Sequence, residues 1–215
     1  MSTSVDIGIL ELLSSKICHD LISPIGAVNN GIEFLEDMGP DAGKDVTDLI
    51  AFSASQASAK LKAYRMAYGA GGADDSIKPE DVHTAIQDIV AAEDKVKQDW
   101  DPYGDLGYGD DRPSAYCKML ICGLLLAMDC LPKGGTLVVG PGSNAGETKI
   151  IASGENAAGR EQSASALSLI MARDALEPKY VHPYMCGLLG QEYGYSFSMV
   201  DTDGAVDITI THPSA

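Results

Sequence analysis

Apolar side chains recur at steps of three and four through the first 38 residues. Ile17, Leu21, Pro24, Val28, Ile32 and Leu35 fall on one line, which predicts a single amphipathic helix over residues 7 to 38. The run MGPDAGKD (Met38 to Asp45) breaks the pattern with two glycines and a proline. A second helix is predicted from Asp45 to Tyr68, with Val46, Leu49, Ile50, Ala57, Leu61, Tyr64 and Tyr68 on its apolar side. Two long helices joined by a short turn make an antiparallel hairpin. One hairpin buries little alone. Pairing with a second copy would complete a four-helix bundle and cover both seams, so a homodimer is expected.

GAGGADD (Gly69 to Asp75) reads as a glycine-rich linker, and the pattern changes beyond it. PEDVHTAIQDIVAAEDKVKQ predicts a helix opened by Pro79, with Glu80 and Asp81 in its first turn. SAYCKMLICGLLLAMDCLP is a strongly apolar helix, and VHPYMCGLLGQEYG a further one ending at Gly194. GGTLVVG, ETKIIAS, YSFSMV and AVDITITH read as strands. The expected fold class is α+β in two domains. Residues 1–70 form the helical hairpin. Residues 76–215 form an α/β sandwich, a sheet with helices on one face. GPGSNAG (Gly140 to Gly146) imitates a phosphate-binding loop, but it leads into a strand rather than a helix N-terminus. It therefore reads as a hairpin connection.

Composition adds exclusions. Hydrophobic residues make up 45% of the chain and charged residues 21%, an ordinary globular balance. The most apolar run, Met119 to Met128, is far short of the ~20 residues of a membrane span. No basic residue precedes the apolar part of MSTSVDIGIL, which argues against a signal peptide. A cytoplasmic protein off the membrane is expected. Five cysteines without a C-x-x-C pair read as reduced, mostly buried thiols, and no metal site is expected. The net charge of −16 argues against a nucleic-acid partner. Residues 71–111 hold twelve acids against three bases, which reads as a solvated acidic surface.

The candidate chemistry is in SKICHDLISPIGAVNNG. At 100° per residue His19 lies about 160° from both Ile17 and Leu21, so it points away from the seam. Ser15, Ser23, Gly26 and Asn30 share its face. Solvated helix faces are usually built from Lys, Glu and Arg, so a strip of small and polar residues suggests a docking surface. Lys16 and Pro24 are counted with this strip. An exposed imidazole keeps one nucleophilic nitrogen near neutral pH and suits a phosphoryl acceptor. Asp20 is placed to hold the proton on the other nitrogen. Ser23, one turn on, is placed to donate to a phosphoryl oxygen, and Lys16 to screen its charge. Pro24 cannot bond the carbonyl of Asp20, so the helix is expected to bend there.

HDLISPIGAVNNGIEFL resembles the H box of two-component histidine kinases: His19, then the acid Asp20, then Pro24 at the fifth position after the histidine. The second half is similar to a kinase ATP-binding domain that has lost its site. In ICGLLLAMDCLPKGGTLVV the family's two asparagines fall on Cys122 and Leu126. In IIASGENAAG the family's adenine-reading Asp and first Gly fall on Ala152 and Gly154. The combination resembles the ChpT-type dimeric histidine phosphotransferases, a kinase-like bundle followed by a degenerate ATPase-like domain.

That resemblance implies a relay role. His19 would take a phosphoryl group from a receiver-domain aspartate, with Asp20 and Ser23 assisting, and pass it to another response regulator. The implied partners are receiver domains of a hybrid histidine kinase and of response regulators. No cofactor of its own is implied, Mg2+ coming with the receiver and ATP not being used. Two alternatives remain open from sequence: an ATP-dependent kinase with a divergent site, and a non-catalytic kinase-binding scaffold.

Overall fold

The computed structural model describes residues 6–39, 43–93, 95–109 and 111–213. The chain starts with a helical hairpin, α1 (Ile7–Met38) and α2 (Gly43–Tyr68), as the apolar periodicity predicts. The Asp6 carboxylate caps α1 by accepting from the backbone N–H of Gly8 at 2.8 Å. Gly39 ends the helix with φ +56°, a conformation that favours glycine. Residues 40–42, the middle of the expected break, lie outside the described residues. Near the tip the two helices approach closely, because a side chain at Gly31 would meet Ile50 Cγ1 at 2.5 Å.

The second half contains α3 (Pro79–Glu93), β1 (Val96–Gln98), α4 (Tyr116–Asp129), β2 (Gly135–Pro141), β3 (Glu147–Ser153), α5 (Ser163–Leu167), α6 (Val181–Tyr193), β4 (Ser196–Thr202) and β5 (Ala205–Thr211). They form one five-stranded sheet in the order β1-β2-β3-β5-β4. Only β1 runs parallel to its neighbour; the other pairs are antiparallel. GPGSNAG is the β2–β3 hairpin connection, as expected. Gly194 ends α6 in the left-handed region, φ +79°.

Two readings of the sequence need correction here. The helix expected to run through residue 98 stops at Glu93, and Val96–Gln98 pairs with Gly135–Leu137 as a strand. Three residues carry too little alternation to outweigh the helical pattern ahead of them. The sequence reading also missed α5.

The core lies between the sheet and α4. Leu137, Val139, Ile150, Ala152, Val206, Ile208 and Ile210 are buried on one face of the sheet. Met119, Leu120, Ile121, Leu124 and Ala127 on α4 are fully buried. Gly123 brings α4 close to the sheet: a Cβ there would sit 2.7 Å from Ile150 Cδ1 and 3.0 Å from Ile210 Cδ1. α4 is apolar on both its sheet side and its hairpin side, with Lys118 as the buried exception, because the hairpin covers the side away from the sheet. The layers are therefore sheet, helices, and the end of the hairpin.

The hairpin is docked at two points. Ile9 of α1 joins Ala166, Met171, Leu176, Tyr180 and Tyr184 in a small apolar cluster. Ala59, Ala63 and Ala67 on α2 are buried, and α2 packs on α3 and α4. This alanine row was absent from the expected apolar side of α2. Leu49 and Leu61, which were on it, are half exposed. Small side chains let α2 lie close to its neighbours.

GAGGADD is likewise no loose tether. Residues Ala70–Ala73 form a 3-10 turn with Gly72 buried, and Lys118 Nζ donates to the Gly69 carbonyl at 2.8 Å. A Cβ at Gly72 would fall 1.8 Å from the Met66 carbonyl oxygen.

Candidate functional site

Gly26 and Asn30 follow His19 and Ser23 along one edge of α1. The His19 side chain is 87% exposed, and Ser15, Ser23 and Asn30 are exposed beside it. A side chain at Gly26 would meet nothing within 4 Å. The strip therefore has the open, low relief expected from the sequence. Pro24 does not belong to it. It is buried, because 100° per residue carries it about 140° round the helix from His19. α1 continues through Pro24 to Met38 as one helix.

Asp20 turns from the opposite edge of the strip toward α2 and is only 22% exposed. One carboxylate oxygen, Oδ1, lies 3.2 Å from His19 Nδ1. The other, Oδ2, accepts from Lys16 Nζ at 3.1 Å and from the Tyr64 hydroxyl on α2. Burial alone would raise the Asp20 carboxyl. The bonds from Tyr64, Lys16 and His19 outweigh it, and the net direction is downward. Asp20 is thus held as a carboxylate, which only accepts. The proton in its contact with His19 then sits on Nδ1, and in the neutral ring this leaves the Nε2 lone pair available.

Behind Asp20 runs a chain of rings. Tyr64 stacks on Tyr68 with centroids 5.7 Å apart. The Tyr68 hydroxyl lies 2.5 Å from His182 Nδ1, and His182 Nε2 lies 3.1 Å from the Cys122 carbonyl oxygen. A carbonyl only accepts, so Nε2 carries the His182 proton and Nδ1 accepts from Tyr68. These groups border a cleft of about 370 Å3 between the hairpin and the second domain, where Lys60, Lys95 and Arg160 also lie.

His182 is 2% exposed, and burial pushes its pKa from 6.5 down to about 4. The unfolded chain binds a proton between those values that the folded chain does not. Stability is therefore expected to fall as pH drops from about 6.5 toward 4. Thermal melts across that window check this, and a flat profile would contradict it.

The positions matching the kinase asparagines are part of the core. Cys122 and Leu126 are 0% and 1% exposed. Cys122 Sγ points at the Ala67 carbonyl, and His182 and Cys186 of α6 lie against its backbone. Neither side chain offers a hard oxygen to a magnesium–nucleotide complex, and both are covered. Ala152 is buried in β3, and Gly154 lets that strand's end pass close to Gly134. These residues do not fit a nucleotide. Among the described residues no three His, Cys, Asp or Glu side chains are grouped to hold a metal ion. No helix among them is long and apolar enough to cross a membrane.

The sequence brought His19, Asp20 and Lys16 together, and the structure does so too. It missed Tyr64 and His182. Tyr64 was legible only as part of an apolar face, and His182 only as a histidine before a proline.

The family model for the histidine phosphotransferase C-terminal domain matches residues 79–205. The protein phosphotransferase ChpT of Brucella abortus (strain 2308) is 38% identical over 138 residues, 64% of this chain and 61% of that protein. The chain thus matches under two thirds of that relative's length. A solved structure of a bacterial phosphotransferase superposes with a TM-score of 0.78 at 29% identity, covering 97% of this chain and 98% of that one. The likeness therefore includes the hairpin, which the family model leaves out. The chain belongs to the histidine phosphotransferase family, of the ChpT type.

Proposed function

We propose that this protein is a phosphorelay intermediate. It takes a phosphoryl group from a receiver-domain aspartate onto His19 and yields it to the aspartate of another response regulator. The observation that carries this is the exposed imidazole with Nδ1 against the Asp20 carboxylate. The Nε2 lone pair attacks phosphorus, an N–P bond forms, and the P–O bond to the donor aspartate breaks. The aspartate leaves with that electron pair as a carboxylate. Asp20 holds the Nδ1 proton and balances the charge that develops on the ring. Ser23, exposed one turn away, donates to a phosphoryl oxygen. The second half-reaction is the same step reversed on a different aspartate. Catalysis of this kind rests on positioning and charge neutralisation. The metal arrives with the receiver's acidic pocket.

Residues 1–70 are the dimerisation and phosphotransfer module in this reading, and residues 76–215 a docking platform beside it. The homodimer is supported by an open apolar face on α1. Leu10, Ile25 and Ile32 are 51%, 51% and 44% exposed in the single chain. They lie 180–240° from His19. Pairing there leaves the strip of His19 open to receivers. Free thiols at all five cysteines fit a reducing cytoplasm.

The test mixes the protein with a phosphorylated receiver domain and, separately, with ATP. Label from the receiver and none from ATP is expected. Self-labelling with ATP would make it a kinase instead. Absence of label from a panel of phosphorylated receivers would leave a scaffold.

A further inference from the structure

Neighbouring residues on a helix do not face each other, so the contact between His19 and Asp20 needs the Asp20 side chain held in one rotamer. Two groups reach its far oxygen. Lys16 does so from the preceding turn of α1 as a flexible, partly exposed side chain. Tyr64 does so from α2, 44 residues away, as a planar ring with its hydroxyl at a fixed reach. That ring is itself braced by Tyr68, and Tyr68 is anchored by its hydroxyl on buried His182. Lys16 ties Asp20 to its own helix, whereas Tyr64 ties it to the junction with the second domain.

We propose that Tyr64 is a positioning residue for phosphoryl transfer. Its hydroxyl fixes one oxygen of Asp20, so that the other oxygen holds the His19 Nδ1 proton and Nε2 stays nucleophilic. The inference rests on His19 being the phosphoryl acceptor. It adds that the second domain, through His182, Tyr68 and Tyr64, sets the tautomer of a histidine on α1. Free imidazole has no such bias toward Nδ1–H, so removing the hydroxyl returns the ring toward the Nε2–H form, whose open face lacks a lone pair.

Tyr64→Phe removes one oxygen and keeps the ring on Tyr68, so the melting temperature should stay near that of the natural protein. Ring nitrogen chemical shifts of His19, read at a pH well above the imidazole range, should show mainly Nδ1–H in the natural protein. They should show a shift toward Nε2–H in the variant. An unchanged tautomer overturns the proposal. This measurement needs no receiver, so it decides about Tyr64 even if His19 accepts no phosphoryl group.

With a phosphorylated receiver, the single-turnover transfer rate should fall on the order of ten-fold in Tyr64→Phe, with receiver affinity unchanged. In an Asp20→Ala background the same substitution should cost nothing further, because Tyr64 acts through Asp20. A loss of receiver affinity at an unchanged rate would make Tyr64 a docking contact and overturn the proposal. So would an equal ten-fold loss in the Asp20→Ala background.

Discussion

A His19→Ala protein is expected to take no label from a phosphorylated receiver while still binding it. The rate should fall on the order of 10³-fold or more, the scale on which an enzyme loses its nucleophile. No other imidazole can take over. His83 stacks edge-on against Trp100 at 4.9 Å. His182 is bonded at both nitrogens within the core. His212 packs on Tyr195 with ring centroids 4.6 Å apart. Among the described residues His19 combines near-complete exposure with a carboxylate on one nitrogen. Receiver affinity should change little, because in the proposed function receivers dock on the strip of small residues and removing the ring leaves them in place. The assay is a time course of phosphoryl transfer beside a binding isotherm. Transfer to the variant at a rate near that of the natural protein would sink the assignment of His19.

The hairpin was legible because its signal is periodic and long. α1 and α2 each repeat their apolar steps over many turns, and glycine and proline mark the break between them. The strands β2 to β5 were legible from alternation, and the end of α6 from Gly194. Short elements were not: β1 and α5 have three and five residues, too few for a period. The alanine row of α2 was missed for a different reason. Ala59, Ala63 and Ala67 add little to a hydrophobic pattern, yet their small side chains let α2 lie against α3 and α4.

At the site, what is local in the chain could be read and what is distant could not. His19, Asp20 and Lys16 lie within five residues, and helical geometry relates them directly. Tyr64 reaches Asp20 only because the hairpin folds back by 44 residues. No spacing in the sequence distinguishes it from Tyr68, which points its hydroxyl into the core instead. Cys122 and Leu126, where the resemblance of the sequence places the kinase asparagines, are packing positions, and Cys122 lies between Ala67 of the hairpin and His182 of α6.

Ile25→Glu is expected to convert a dimer into a single chain of 22.6 kDa. Ile25 is 51% exposed in the single chain, so the fold of that chain draws little stability from it. In the proposed bundle the same side chain is covered by the partner. Two-fold symmetry then puts the new carboxylate into the interface twice. Burying those charges without partners costs about 3 kcal/mol or more, which weakens the dimer over about a hundred-fold. Light scattering should show the mass halved relative to the natural protein, with an unchanged helical spectrum. A natural protein that is already monomeric, or a variant that stays dimeric, would remove this face from the interface. The contacts of His19 with Asp20, and of Asp20 with Tyr64, lie within one chain. The monomeric variant should therefore keep the His19 tautomer of the dimer, which separates the assembly of the bundle from the chemistry on its surface.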